Sequence, residues 1–140
     1  MKRHSTLFAV SLLLLLSFRI LPQETAEQNS STKEACIQTL LQGITTENLG
    51  LQAGCTYMLG ELCCGKSVVK LLDILHNGQS EELRILAALS LYKIQDSRGI
   101  FAIKQAIRFD DSKRVSRMCE IFYKAYIQDK EQLTIDVAVK

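Results

Sequence analysis

The sequence of 140 residues is poor in the residues that interrupt helices and in the motifs that mark catalytic sites. It contains one proline, no tryptophan and two histidines, His4 and His76. It has no phosphate-binding glycine motif. No C-x-x-C pair occurs, and no histidine adjoins a cysteine, which excludes the zinc sites with those spacings. The sequence therefore predicts a single domain that is not an enzyme, with no catalytic residue, metal site or cofactor.

The first 22 residues differ from the rest of the chain. Lys2 and Arg3 precede an apolar run from Leu7 to Phe18, which is shorter than the roughly 20 residues that cross a bilayer. This pattern is typical of a secretory signal peptide, here with cleavage between 22 and 28. An uncleaved N-terminal anchor is the alternative interpretation. We expect an exported protein, periplasmic or extracellular, with no membrane span after signal cleavage.

Removal of the signal peptide changes the net charge of the chain. Residues 1–22 contain three of the 17 Lys and Arg residues and none of the 15 Asp and Glu residues, so the charge falls from +2 to −1. The basic character of the full sequence thus belongs to the signal. Together with export, this argues against a nucleic-acid partner.

A repeat of 32 residues runs through the remaining chain. Segments 48–62, 80–94 and 112–126 align without gaps, and we call them the first-type helices. Each begins with a residue suited to cap a helix, Asn48, Ser80 or Ser112. Four aligned positions, spaced by 4, 4 and 3 residues, lie on one helical face. These sets are Leu51, Leu83 and Val115; Cys55, Ala87 and Cys119; Leu59, Leu91 and Tyr123; Leu62, Ile94 and Tyr126.

The segments between them form a second set, the second-type helices. Segments 66–78 and 97–110 share the 32-residue offset and carry apolar residues at helical spacing, and segment 32–43 lies one period earlier. Gly78 is predicted to end its helix in the left-handed conformation. The predicted fold class is all-α, a short solenoid of about six helices over 32–127. A flexible linker (23–31) precedes it, and a C-terminal tail (128–140) follows it.

Two stretches, "LRILAALSLYKI" and "LQAGCTYMLGELCCGKSVVKLLDIL", resemble short bacterial HEAT repeats of the phycobilin-lyase type. The residues that fit this pattern are Leu59, Gly60, Leu62, Leu83, Arg84, Ala87, Ala88, Leu91 and Ile94. The pattern's arginine is replaced by Gln52 and Ser116 in the other copies, and its usual proline by Lys70. The resemblance covers about 48–126 and implies an α-solenoid of stacked helix pairs.

The resemblance also implies a function and a surface. Such repeats are scaffolds, so we expect a non-enzymatic module that binds another protein; a small cofactor-handling or lyase-like enzyme is the alternative. In such solenoids the second-type helices line the binding side, which points to Lys66, Lys70, Asp73, Arg98, Gln105 and Phe109. The basic residues of the third repeat indicate either a solvated surface or an acidic partner or anionic surface. They are Arg98, Lys104, Arg108, Lys113, Arg114, Arg117 and Lys124.

The five cysteines are an odd set, so at least one thiol is free or bonded to another chain. Cys55 and Cys119 fall on the small core position. Cys63 and Cys64 align with Gln95 and Asp96 in the turn between the two helices of a repeat. The turn is the favoured interpretation of the last pair, and Cys36, Cys63 and Cys64 are candidates for a disulfide or a reactive thiol.

The C-terminal tail departs from the repeat. Its apolar residues Leu133, Ile135, Val137 and Val139 alternate with other residues, a period of two that predicts a strand. Such a segment would cap the last helix, stay mobile, or add to the sheet edge of a partner.

Overall fold

The computed structural model describes the backbone of residues 24–138 and the side chains of residues 31–135. The predicted signal peptide, 1–22, lies outside the described residues. The chain divides into two units, Met1–Ala35 and Cys36–Lys140. The first unit is described only by the helix that begins at Glu24. The second contains the rest of that helix and all the features analysed below.

The described residues form six helices and no strand, which confirms the predicted all-α fold. None of these helices is long and apolar enough to span a membrane. A short 3₁₀ helix, Gly65–Ser67, precedes α3. The six are α1 (Glu24–Gly43), α2 (Leu49–Glu61), α3 (Val68–Asn77), α4 (Glu81–Ile94), α5 (Ser97–Phe109) and α6 (Lys113–Ala138).

Helix α1 begins earlier than the sequence pattern indicated. The predicted linker, 23–31, falls within this helix from Glu24 onward. The physical reason is visible in the composition, because no glycine or proline interrupts residues 24–42. The predicted start at Thr32 depended on alignment with the later second-type segments, and that alignment does not extend to the residues before 32.

The predicted caps fix where the first-type helices α2, α4 and α6 begin. Asn48 accepts a hydrogen bond from the Leu51 amide at 3.1 Å, and Ser80 accepts one from the Leu83 amide at 3.1 Å. Ser112 accepts from the Arg114 and Val115 amides at 3.2 and 3.3 Å. These side chains satisfy amides that have no partner within a helix.

Residues one period apart meet across neighbouring first-type helices. Helices α2, α4 and α6 pack side by side, while α3 and α5 pack on them and less closely on each other. Lys93 forms an ion pair with Glu61, and Arg114 forms one with Glu82. Both pairs join residues 32 positions apart, so the repeat corresponds to a physical stack. This packing is compatible with a helical solenoid.

The aligned apolar positions form most of the core. Cys55, Ala87 and Cys119 are all buried, as the small-residue position requires for close helix packing. Leu51 is the exception, because 53 % of its surface is exposed, whereas Leu83 and Val115 at the same position are buried. The apolar stripes of the second-type helices are covered as well. Their buried members are Val68, Leu71, Leu75, Ile100 and Ile103.

Gly78 ends α3 as predicted, but for a different reason. Its backbone is extended, with φ −59° and ψ 134°, and is not left-handed. A Cβ at this position would lie 2.5 Å from the Ile74 carbonyl oxygen and 3.1 Å from Arg84 Cγ. Glycine is therefore required here for close approach. Among the described residues, the left-handed conformation occurs at Cys63 (φ 47°) and Gln95 (φ 57°), which follow α2 and α4 one period apart.

The strand predicted for the C-terminal tail is wrong. Helix α6 continues to Ala138, so the predicted boundary between 127 and 128 is not a break. The Tyr92 hydroxyl donates to Asp129 Oδ2 at 2.8 Å, which ties the extension to α4. No glycine or proline stops α6 between 113 and 138, so helix continuation outweighs an alternation of only four apolar residues.

Candidate interaction surface

Two adjoining grooves open on the second-type helices. The larger, about 630 Å³, lies between α3 and α5 and has an apolar lining of Leu72, Phe101 and Ala102. The smaller, about 240 Å³, contains Phe109 and Asp110. His76 and Gln105 line both grooves, so the two form one continuous open surface. We call this surface the α3/α5 face.

Helix α5 positions most of this surface. Asp96 caps the helix by accepting from the Arg98 amide at 2.9 Å. The Arg98 guanidinium donates to both oxygens of the same carboxylate, at 3.0 Å each. This guanidinium lowers the pKa of Asp96. Because Ile100 and Ile103 point into the core, Phe101 is left on the solvent side, with 62 % of its surface exposed.

The structure brings together three of the six residues predicted for the binding side. Arg98, Gln105 and Phe109 line the α3/α5 face, and Phe109 is 74 % exposed. Asp73 is turned elsewhere: it accepts a hydrogen bond from Asn77 Nδ2 at 2.7 Å and lines a depression beside the α1–α2 turn. The remaining two lie outside both grooves, Lys66 exposed in the 3₁₀ helix and Lys70 half-buried on α3.

Sequence reasoning missed Phe101, Leu72 and His76 as members of this surface. One signal was present, because Phe101 falls one period after Val69 and neither residue belongs to the buried stripe. Both side chains are exposed. His76 lies in the last turn of α3. Its contribution to the grooves depends on the separation of α3 and α5, which no local pattern encodes.

Cys63 and Cys64 lie in the turn that the repeat predicts. Cys63 is exposed, and its thiol contacts the Lys93 carbonyl oxygen at 3.6 Å. Cys64 is buried, and its carbonyl accepts from the Ser67 hydroxyl at 2.6 Å. Neither cysteine lines the α3/α5 face. All five cysteines are free, and no group of His, Cys, Asp or Glu side chains within the described region is arranged to hold a metal ion.

The thiols are expected to divide into two classes of reactivity. Cys36 and Cys63 are exposed, whereas Cys55, Cys64 and Cys119 are buried. Burial raises the pKa of Cys119 to about 12, which suppresses the reactive thiolate. Iodoacetamide should therefore label two thiols per chain rapidly and the other three only on unfolding, as followed by mass spectrometry. Rapid labelling of Cys119 would contradict the helix packing described here.

Comparisons of the sequence with protein families and with curated proteins identify no relative. No protein-family model matches the chain, and no curated protein matches it at a significant level. The interpretation of the α3/α5 face therefore depends on its own geometry and on the repeat that positions it.

Proposed function

We propose that the protein is an exported, non-enzymatic HEAT-like repeat protein that binds another protein through the α3/α5 face. The observation that carries the proposal is the exposure of Phe101 and Phe109 on one continuous surface. Large exposed apolar groups on a polar-rimmed groove are typical of protein-binding sites. The apolar signal-like N-terminus supports export to the periplasm or the medium.

The shape of the surface favours a helical segment as the bound element. An open groove between two helices accepts the apolar face of a third helix. The charged residues that line this face are of both signs, Arg84 and Arg98 together with Asp110 and Asp111. The rim is therefore of mixed charge, and the apolar side chains of the face supply the main contact area for the apolar stripe of such a segment. No cofactor is part of this proposal.

Photo-crosslinking from the groove tests the proposal. A photoreactive phenylalanine analogue at Gln105, which lines both grooves, should trap a specific protein in the exported fraction of the source cells. The double variant Phe101→Ala/Phe109→Ala should lower the yield of that product at least about tenfold, because truncated interface aromatics are typical hot spots. Both phenylalanines are mostly exposed, so the melting temperature should change little.

The matched controls use another exposed apolar site. Leu133 and Ile135 lie on the extension of α6 and are also exposed. The probe placed at Leu133 should not trap the same protein, and Leu133→Ala/Ile135→Ala should leave the product from Gln105 unchanged. An equal yield in the two double variants would reject the α3/α5 face as the binding surface.

A further inference from the structure

Among the residues that the structure describes, one face of α2 has no helix neighbour like those on the equivalent faces of α4 and α6. In α4, Ser90 packs against Gly60 of α2, where an added Cβ would lie 2.6 Å from the serine oxygen. In α6, Phe122 at the same repeat position stacks on Tyr92 of α4, with ring centroids 6.1 Å apart. The corresponding residue of α2 is Met58, which is 43 % exposed.

Two further residues extend this uncovered face along α2. Leu51 and Gly54 lie seven and four residues before Met58, on the same side of the helix. Leu51 is exposed, although Leu83 and Val115 at its repeat position are buried. A Cβ at Gly54 would meet no atom within 4 Å. We call Leu51, Gly54 and Met58 the α2 face. Its residues are apolar or small, as in a contact between packed helices, yet they are exposed.

At the opposite end of the stack, the outer side of α6 carries charged residues. Tyr92 of α4 contacts α6, and Ile85 and Ala88 lie on the same side of α4. The equivalent positions of α6 are occupied by Arg117, Glu120 and Lys124. Lys124 forms an ion pair with Glu120 at 2.6 Å, and its side chain is 68 % exposed. This is the polar outer face expected of a terminal capping repeat. Another apolar helix face would bury these charges at a cost.

We infer that the α2 face binds the α2 face of a second copy of this chain, which forms a two-fold symmetric dimer. Head-to-tail stacking of two copies would place the apolar α2 face of one copy on the charged side of α6 in the other. The favourable contact is therefore between the α2 faces of the two copies. A face that meets itself forms a closed dimer and not a filament. This contact is separate from the α3/α5 face and leaves that face free for a partner.

The electrostatics of α2 suit such self-association. The helix carries a single ionisable side chain that bears charge at neutral pH, Glu61, and this carboxylate is paired with Lys93. Two copies therefore bring no like charges together on the α2 face. The exposed Gly54 leaves room for the two helix backbones to approach closely, and Leu51 and Met58 supply the apolar area on either side.

Sedimentation velocity of the natively processed protein between about 1 and 100 μM measures the dimer directly. The wild type should shift from monomer to dimer across this range. Leu51→Glu/Met58→Glu and Leu51→Lys/Met58→Lys should each weaken self-association at least about 100-fold, because like charges then face each other. An equimolar mixture of these two variants should restore a dimer. A partner other than a second copy would not produce this restoration.

The control is Ile121→Glu/Leu133→Glu, which adds the same charges at exposed apolar positions of α6 and should leave the dimer unchanged. Peroxide oxidation of Met58 in the wild type provides a measurement that needs no variant, since its rate should fall as protein concentration rises. A wild type that stays monomeric at the highest concentration overturns the inference. So does a dimer that resists charges on α2, or one that the α6 variant dissociates.

Discussion

Replacing Arg84 with alanine is expected to lower the free energy of unfolding by about 2–3 kcal/mol, since removing one partner of a largely buried, hydrogen-bonded ion pair leaves an uncompensated charge. Arg84 Nη2 lies 3.2 Å from Asp110 Oδ1, and the two side chains are only 19 and 8 % exposed. The same guanidinium donates to the Gly78 carbonyl at 3.3 Å. It therefore joins the turn after α3 to the turn before α6.

The loss should reach the start of α6 as well. Asp110 Oδ1 also accepts a hydrogen bond from the Ser112 amide at 2.9 Å, so this carboxylate orders the turn that leads into α6. Without Arg84 the carboxylate must either remain buried and unpaired or rotate into solvent and release that amide. Urea unfolding followed by circular dichroism measures the change in free energy.

Arg114→Ala is the matched control because it removes an arginine ion pair at the surface. Arg114 is paired with Glu82, and their side chains are 59 and 67 % exposed. Exposed pairs of this kind contribute about 0–1 kcal/mol. If Arg84→Ala lost no more stability than Arg114→Ala, the bridge between the two turns would not contribute to folding.

In the other repeats, different residues make the contact that Arg84 makes with the backbone before its helix. Gln52 and Ser116 occupy its position, and the repeat pattern marked both as departures. Gln52 Nε2 donates to the Ile44 carbonyl at 3.0 Å, and the Ser116 hydroxyl donates to the Ile107 carbonyl at 2.5 Å. Each side chain thus ties its helix to backbone just before it. The sequence shows that Gln52 and Ser116 replace the arginine, but only the structure shows that all three side chains bond to backbone that precedes their helices.

The helices themselves could be predicted because their signals are local. The 32-residue offset aligned the apolar stripes, and the capping side chains of Asn48, Ser80 and Ser112 set the starts of α2, α4 and α6. Both depend on residues within one or two turns of each other. The five helices from α2 to α6 therefore begin within two residues of the predicted segments.

The remaining features depend on contacts that are distant along the chain. The α3/α5 face exists because α3 and α5 pack loosely, which leaves Phe101 in a groove. The sequence pattern of α5 shows only that Phe101 is exposed and does not show that it lies in a groove. Glycine is required at position 78 because Arg84 and the Ile74 carbonyl leave no room for a Cβ, and its backbone conformation does not require it. The tail was wrongly predicted as a strand because four alternating residues outweighed the missing helix stop.

The second large effect is expected at Gly60, where α2 and α4 pack most closely. A Cβ added there would lie 2.6 Å from Ser90 Oγ, 2.7 Å from Ser90 Cβ and 2.8 Å from Ser90 Cα. Rotation of the serine side chain cannot relieve the contact with its Cα, so the two helices must separate. Such overpacking costs about 1–3 kcal/mol, against which the higher helix propensity of alanine returns at most about 1 kcal/mol. We expect Gly60→Ala to destabilise the protein by about 1–2 kcal/mol.

Gly54→Ala isolates the packing contribution because it makes the same chemical change in the same helix. A Cβ at Gly54 meets no atom within 4 Å, so only the propensity gain remains and the variant should be stabilised by up to about 1 kcal/mol. Thermal unfolding at low protein concentration compares the monomers. The difference between the two variants measures the α2–α4 contact itself, since the propensity contributions largely cancel. Equal effects of the same sign would mean that Ser90 does not pack on Gly60.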